Sequence, residues 1–211
     1  MAHQYQKSIV RHTEEGDVTI CSFCTPDEIM SLSFKKTFTT YARYNPIISK
    51  KESLVKAASK PDANVSLALT DEGNIVGFSI LEYPYPDERW ARVGDSTMME
   101  VAVIEVVREW RSAGISKELL RFTLDHPLKE DRIFYMVGYS WTWDLEGAGV
   151  PPMAYRDMMI RLFSSQEFEI LQTNEPNIML RPENLFMARI GANIPKEIQK
   201  QFKLVRFNMD R

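Results

Sequence analysis

The segment from Val106 to Leu120 constrains the fold of this chain more than any other. It begins as an apolar run typical of a β-strand, passes through a short polar stretch, and continues from Gly114 with the periodicity of an amphipathic helix. In such a unit the backbone N–H groups of the loop and first helical turn point toward one spot, where the helix dipole adds partial positive charge. The segment therefore predicts an anion-binding loop.

The spacing within this loop, Arg111-x-x-Gly114-x-Ser116, excludes two common phosphate-binding motifs. A P-loop needs Gly-x4-Gly-Lys-Ser/Thr, and a dinucleotide fingerprint needs three spaced glycines, whereas this loop has one. The spacing resembles the Arg/Gln-x-x-Gly-x-Gly/Ala motif of the GNAT acyltransferases, which hold the pyrophosphate of acetyl-CoA, with Ser116 in the last small position. Taken alone, Gly114 is also compatible with a purely structural helix start.

Three further segments, residues 83–90, 139–147 and 182–191, resemble the acetoin-utilisation acetyltransferases of bacilli in order and spacing. Together with residues 104–106, this resemblance runs from about residue 60 to the C-terminus, while the first fifty residues match only loosely. It implies transfer of acetyl from acetyl-CoA to a lysine of a protein, which in that family is acetyl-CoA synthetase. Two alternatives stay open: acetylation of a small amine, and a non-enzymatic module that senses acetyl-CoA.

Composition agrees with a globular domain. The chain has 211 residues, of which 44% are hydrophobic, and it contains neither an apolar run long enough to span a membrane nor a signal peptide. We therefore expect a cytoplasmic protein without a membrane partner. The net charge of −3 and the lack of a Lys/Arg run argue against nucleic acid as a partner and suit a cationic acceptor.

Hydrophobic alternation and helix caps predict a mixed α/β fold with one central mixed sheet flanked by helices, an order that the GNAT fold also has. Capping boxes at Thr25–Glu28 and Ser49–Glu52 predict two helix starts. We expect an N-terminal extension over 1–16, an acetyltransferase domain over 17–192 and a C-terminal extension over 193–211, helical from Pro195 to Phe202. The predicted strands are 17–23, 65–69, 75–81, 98–107, 132–139, 168–171 and 185–190, and the later helices are 115–124 and 152–163.

The two cysteines, Cys21 and Cys24, have the spacing of redox or zinc motifs. A zinc site needs two further ligands, and the three histidines show no pairing. We expect ordinary strand-end cysteines and no metal.

The resemblance implies that acetyl-CoA is held by the end of the strand and by the loop. Its pantetheine arm would use the backbone of the strand as an added strand does, and its pyrophosphate would receive the loop amides, with charge from Arg111 or Lys117. The predicted cofactor-binding residues are Ile104, Glu105, Val106, Arg111, Ser112, Ala113, Gly114, Ile115, Ser116 and Lys117.

A general base must deprotonate the acceptor amine. Glu100 lies eleven residues before Arg111, the offset at which histone-type GNAT enzymes carry a glutamate base. Glu105 is the competitor. Five residues apart on a strand, the two point to opposite faces unless a bulge intervenes.

Many GNAT enzymes protonate the leaving thiolate with a tyrosine late in a helix, where this chain has Phe163. The alternative proton donors to the thiolate are Tyr155, Ser164, Tyr139 or water. An acceptor slot is predicted at and just after the end of the next strand, lined by Tyr139, Trp141, Trp143 and Asp144. Such a slot would guide a lysine by cation–π attraction and by an ion pair. The alternative is that the two tryptophans pack on the core.

Overall fold

The computed structural model describes residues 4–34 and 47–209. The strands in this part are β1 (Ser8–Thr13), β2 (Gly16–Cys21), β3 (Ser33–Phe34), β4 (Asn64–Thr70), β5 (Asn74–Glu82), β6 (Met98–Val106), β7 (Ile133–Gly138), β8 (Glu169–Ile170) and β9 (Leu185–Ile190). The α-helices are α1 (Pro26–Ser31), α2 (Lys51–Ala58), α3 (Ile115–Leu124), α4 (Leu145–Ala148), α5 (Pro152–Ser164), α6 (Pro176–Met179) and α7 (Lys196–Arg206).

The chain divides into two compact units, and β6 contributes its second half to one and its first half to the other. The first unit holds the described residues up to Glu82 together with Ala102–His126. Its strands lie in the order β1-β2-β4-β5-β6, and the pairs β1–β2, β2–β4 and β4–β5 are antiparallel. The short β3 pairs with β5 in parallel.

A close approach of three elements organises the core of the first unit. A Cβ atom added at Gly77 on β5 would lie 3.1 Å from the Glu105 carbonyl oxygen, 3.1 Å from Leu119 and 3.2 Å from Val106. A side chain at this position would therefore require the end of β6 or α3 to move away from β5, which glycine avoids. The helix buries Ile115, Leu119 and Phe122 in the same core, so strand and helix present the loop between them from a rigid base.

The second unit holds Tyr83–Val101 and the described residues from Pro127 onward. Its strand order is β6-β7-β9-β8, in which β6 and β7 are parallel and the other pairs antiparallel. Trp90 stacks on Phe186 with ring centroids 4.3 Å apart. Phe202 and Val205 of α7 are buried in this same cluster.

The predicted mixed α/β class with a central mixed sheet is confirmed. The bounds predicted for α3 and β9 match the structure, and Thr25 and Glu28 form the predicted capping box. The box predicted at Ser49 is wrong: α2 begins one residue later, with Lys50 as N-cap and no side-chain cap. Ser49 and Glu52 are therefore out of register for reciprocal capping.

Both chain ends carry regular structure within the described residues. Ser8–Thr13, which falls in the expected N-terminal extension, forms the edge strand β1 and pairs with β2. At the other end, α7 runs to Arg206, beyond the predicted helix, because Val205 continues its apolar face into the core. The domain boundaries themselves stay predictions. None of the helices in the described part combines the length and apolar character that a membrane span requires.

Candidate active site

The loop before α3 has a backbone conformation that exposes amides. Gly114 is the N-cap of α3 with φ of 75°, and Ser112 also adopts a positive φ of 68°. No side chain caps this helix, so the N–H groups of Ile115, Ser116 and Lys117 have no intrahelical acceptor. A Cβ atom added at Gly114 would meet no described atom within 4 Å. The amides therefore border open space that an anion can enter.

Arg111 fastens this loop to the end of β6. Its Nε donates to the Val106 carbonyl oxygen at 2.8 Å, and its Nη2 lies 3.1 Å from Glu105 Oε1. The two side chains are only 22% and 11% exposed, so solvent screens this pair less than a surface pair. Arg111 thus orders the loop, and Glu105 has a structural partner.

Glu118, in the first turn of α3, is a buried carboxylate that the sequence did not single out. Arg121 Nη2 lies 2.7 Å from Glu118 Oε2, and Arg11 also pairs with the carboxylate. Burial acts to raise the pKa of Glu118, but the hydrogen bonds from Arg121 and Arg11 outweigh it and lower the pKa. Its negative charge is therefore compensated by two guanidinium groups beside the proposed anion site.

Glu100 lies on the same strand as Ile104, four residues earlier, and the less buried positions Glu100, Ala102 and Ile104 alternate with buried valines. Glu100 pairs in register with Tyr135 of β7, whose hydroxyl donates to Glu100 Oε2 at 3.4 Å. Burial and the charge of Glu100 raise the pKa of Tyr135 well above its ordinary value. Tyr135 therefore stays protonated and serves as a donor.

Tyr139 follows β7 in a group of aromatic and acidic side chains. Its ring stacks on Trp141 with centroids 4.8 Å apart and planes inclined by 8°. Burial and the charges of Glu175, Glu100 and Glu88 raise the pKa of Tyr139 to about 12. Trp141 is 46% exposed, so this aromatic pair is open to a ligand. Aromatic faces beside carboxylates provide the surroundings that a cation prefers.

The other two predicted acceptor residues are engaged in packing and capping. Trp143 stacks on Tyr155 at 5.0 Å and would lie 3.2 Å from a Cβ atom placed at Gly138. Asp144 is 2% exposed and is the N-cap of α4, where its Oδ1 accepts from the Gly147 amide at 2.9 Å. Among the predicted acceptor residues, Tyr139 and Trp141 are thus the better placed for contact with a substrate.

The structure gathers the predicted residues within each unit. The first unit holds the loop, its strand end and Glu105, and the second holds Glu100, Tyr135 and the residues from Tyr139 to Tyr155. Sequence reasoning missed Glu88, Glu175 and Tyr135, because only the folded chain brings their charges to Tyr139 and Glu100. In the part of the chain that the structure describes, no group of three His, Cys, Asp or Glu side chains has the arrangement of a metal site.

Two curated proteins resemble this chain over nearly their whole length. The acetoin utilization protein AcuA of Bacillus licheniformis is 30% identical over 196 residues, which cover 93% of this chain and 91% of that protein. AcuA of Bacillus subtilis is 30% identical over 205 residues, covering 97% and 96%. The chain belongs to the AcuA family. No protein-family model matches it.

Solved structures agree with membership of the AcuA family. The acetoin utilization protein of Exiguobacterium sibiricum superposes with a TM-score of 0.88 at 26% identity, covering 98% of this chain and 96% of that one. The GNAT domain of PAT from S. lividans has a TM-score of 0.53 at 12% identity, covering 90% and 98%. The fold is therefore the GNAT fold.

Proposed function

We propose that this protein is an acetyl-CoA-dependent N-acetyltransferase that modifies a lysine side chain of a protein. The observation that carries the proposal is the uncapped N-terminus of α3 at Gly114, reached from a strand that also bears Glu100. The GNAT fold and membership of the AcuA family support the same reaction class. We place its action in the cytoplasm.

Acetyl-CoA binds, in this proposal, along the end of β6 and at the loop. The backbone of Ile104–Val106 receives the pantetheine arm, and the amides from Ser112 to Lys117 receive the pyrophosphate. A Cβ atom added at Gly114 would meet no described atom within 4 Å, so the backbone there is open to an approaching anion. Arg111 holds the loop in shape through Glu105 and the Val106 carbonyl oxygen, and Lys117, which is exposed, adds charge.

Glu100 is the proposed general base. A lysine with a pKa of about 10.4 requires roughly 4–5 kcal/mol for deprotonation at pH 7. Glu100 accepts this proton directly or through water, and the amine nitrogen then attacks the thioester carbonyl carbon. A C–N bond forms and the C–S bond breaks, the nitrogen releases its second proton to solvent, and the thiolate takes up a proton from Tyr155 or from water. Glu105, paired with Arg111, is the less suited candidate.

The proposed acceptor site is the group formed by Tyr139, Trp141 and the carboxylates of Glu88, Glu100 and Glu175. These charges attract a cation, and Trp141, which is 46% exposed, is accessible to the acceptor. An aromatic pair open to solvent suits a protein-borne lysine better than an enclosed small amine. The resemblance to the acetoin-utilisation acetyltransferases names acetyl-CoA synthetase as the acceptor to test first.

Release of the CoA thiol tests this proposal. The protein should consume acetyl-CoA at a rate that rises with the concentration of acetyl-CoA synthetase or of a lysine peptide, and the Glu100→Gln variant should be slow. If acetyl-CoA binds but no acceptor accelerates thiol release, the protein is a sensing module. If free polyamines are much better acceptors than any peptide, the small-amine alternative holds.

A further inference from the structure

A cavity of about 510 Å³ lies in the second unit, among α5, α6, β8 and β9. This volume falls within the usual range for small-molecule sites. Two of the described residues that line it are arginines, Arg156 and Arg181, and none is Asp or Glu. Its apolar lining includes the buried side chains Leu185 and Phe186.

Arg156, which lines the cavity, has a hydrogen-bond donor that is not used. Arg156 Nε is fully enclosed and has no hydrogen-bond partner among the described residues. Arg181 lies over the Trp141 ring at 5.7 Å, a contact that leaves the in-plane N–H groups of a guanidinium able to donate. A buried donor on a charged group is costly to leave without an acceptor.

Two further arginines contact the polar lining. Arg206 Nη1 donates to the Gln172 carbonyl oxygen at 3.2 Å, and Arg89 Nη1 donates to Asn174 Oδ1 at 2.7 Å. Glu175, which follows the lining residue Asn174, accepts hydrogen bonds within α6 from the Ile178 amide at 2.7 Å and from Asn177 Nδ2 at 3.2 Å. The charged side chains among the described residues that line the cavity are thus both cationic.

We propose that this cavity binds a small organic anion. A carboxylate or phosphate group of the ligand pairs with the guanidinium groups of Arg156 and Arg181, and its apolar part lies on Leu185 and Phe186. Planar guanidinium groups match both kinds of anion in bidentate geometry. The site uses none of the residues proposed for acetyl transfer.

Calorimetric titration of the full-length protein tests the proposal, with phenyl phosphate and benzoate as probes and neutral benzamide and inorganic phosphate as comparisons. We expect phenyl phosphate or benzoate to bind and to raise the melting temperature as its concentration rises. Benzamide should not bind, because it lacks the charge, and inorganic phosphate should bind more weakly, because it lacks the apolar part. The stronger of the two anionic probes identifies the headgroup.

Substitutions of the lining arginines test whether the probe binds in this cavity. Arg156→Leu and Arg181→Leu should each weaken binding of the preferred probe by roughly tenfold or more, as expected for loss of a charged hydrogen bond. The matched control is Arg161→Leu, at an exposed position in the last turn of α5, which should leave the affinity unchanged. Because Arg156 Nε is enclosed, Arg156→Lys serves as a milder second variant and should also weaken binding.

Titration of the probe in the presence of saturating acetyl-CoA distinguishes binding in this cavity from binding at the loop around Gly114. Binding of the probe that persists with acetyl-CoA present, and in the Gly114→Val variant, supports the cavity. The proposal is overturned if no anionic probe binds, if Arg156→Leu and Arg181→Leu bind normally, if Arg161→Leu loses as much affinity, or if acetyl-CoA displaces the probe. None of these outcomes depends on acetyltransferase activity.

Discussion

The Tyr135 hydroxyl donates a hydrogen bond to Glu100 Oε2 on the adjacent parallel strand, with 3.4 Å between the two oxygens. This contact positions one oxygen of the proposed base. A positioned general base contributes about 10²–10⁴-fold to a rate. Glu100→Gln should therefore lower kcat by about that factor at neutral pH and recover in part as pH rises. Steady-state thiol-release kinetics measure it.

Glu105→Gln is the matched control for this prediction, since it removes a carboxylate from the same strand. It should reduce kcat less than Glu100→Gln and act mainly through acetyl-CoA affinity, because Glu105 holds Arg111. A larger loss of kcat in Glu105→Gln than in Glu100→Gln would identify Glu105 as the general base in place of Glu100.

Gly114→Val should abolish acetyl-CoA binding measured by calorimetry. The new side chain would occupy the open space in front of the loop amides, at a residue with φ of 75°. Gly149 offers a matched control, since it has φ of 64° and also no described atom within 4 Å of an added Cβ. Gly149→Val therefore carries similar backbone strain without the proposed ligand. Equal loss of affinity in both variants would attribute the effect to strain.

Trp141→Ala should raise the KM for a protein acceptor several-fold with little change in melting temperature. Trp141 is 46% exposed, whereas Trp143 packs against Tyr155 and near Gly138. Trp143→Ala should lower the melting temperature. Removal of a buried aromatic ring costs roughly 3–5 kcal/mol of stability, and removal of the half-buried Trp143 ring should cost part of that amount. Acetyl-CoA affinity should stay within a few-fold for Trp141→Ala. An unchanged acceptor KM in that variant would remove Trp141 from the acceptor site.

Tyr139 gives a prediction for alkaline pH. Its pKa of about 12 in the folded protein exceeds the ordinary value of 10.0, so the folded state holds this proton more tightly than the unfolded chain. The stabilisation is complete below pH 10 and is lost as pH rises toward 12. Tyr139→Phe should lack this component, so the difference in free energy of unfolding between the two proteins should shrink across that window. A constant difference would contradict the raised pKa.

Cys21 should react with iodoacetamide faster than Cys24. Their Sγ atoms lie 3.2 Å apart, and the hydrogen bond from Cys24 lowers the pKa of Cys21, while the same bond and burial raise that of Cys24. More thiolate is therefore present at Cys21 near neutral pH. Peptide mass spectrometry follows both sites, and Cys24→Ala should slow the reaction at Cys21. Faster labelling of Cys24 would refute this order.

The elements of the fold were predictable wherever local sequence chemistry determines them. The hydrophobic alternation of β9, the amphipathic pattern of α3 and the Thr25 capping box each depend on near neighbours. The edge strand β1 was missed because most of its residues are exposed and no buried face marks it.

The candidate site was likewise predictable only where its signal lies within a short stretch of sequence. The loop around Gly114 has a local signature, as does the base candidate Glu100. Asp144 looked like a ligand for lysine, but its use as the cap of α4 depends on the turn it folds into. The charges of Glu88 and Glu175 on Tyr139 arise from residues that are distant in sequence. Such contacts require the folded chain.

Acetyl-lysine mass spectrometry of acetyl-CoA synthetase tests the central claim most directly. The synthetase is incubated with acetyl-CoA and either the intact protein or its Glu100→Gln variant, and acetylated lysines are quantified by peptide. The account predicts one dominant lysine acetylated by the intact protein, with a rate lower by about 10²–10⁴-fold in the variant. Equal acetylation by both proteins, or at many lysines at the rate seen with acetyl-CoA alone, would contradict it.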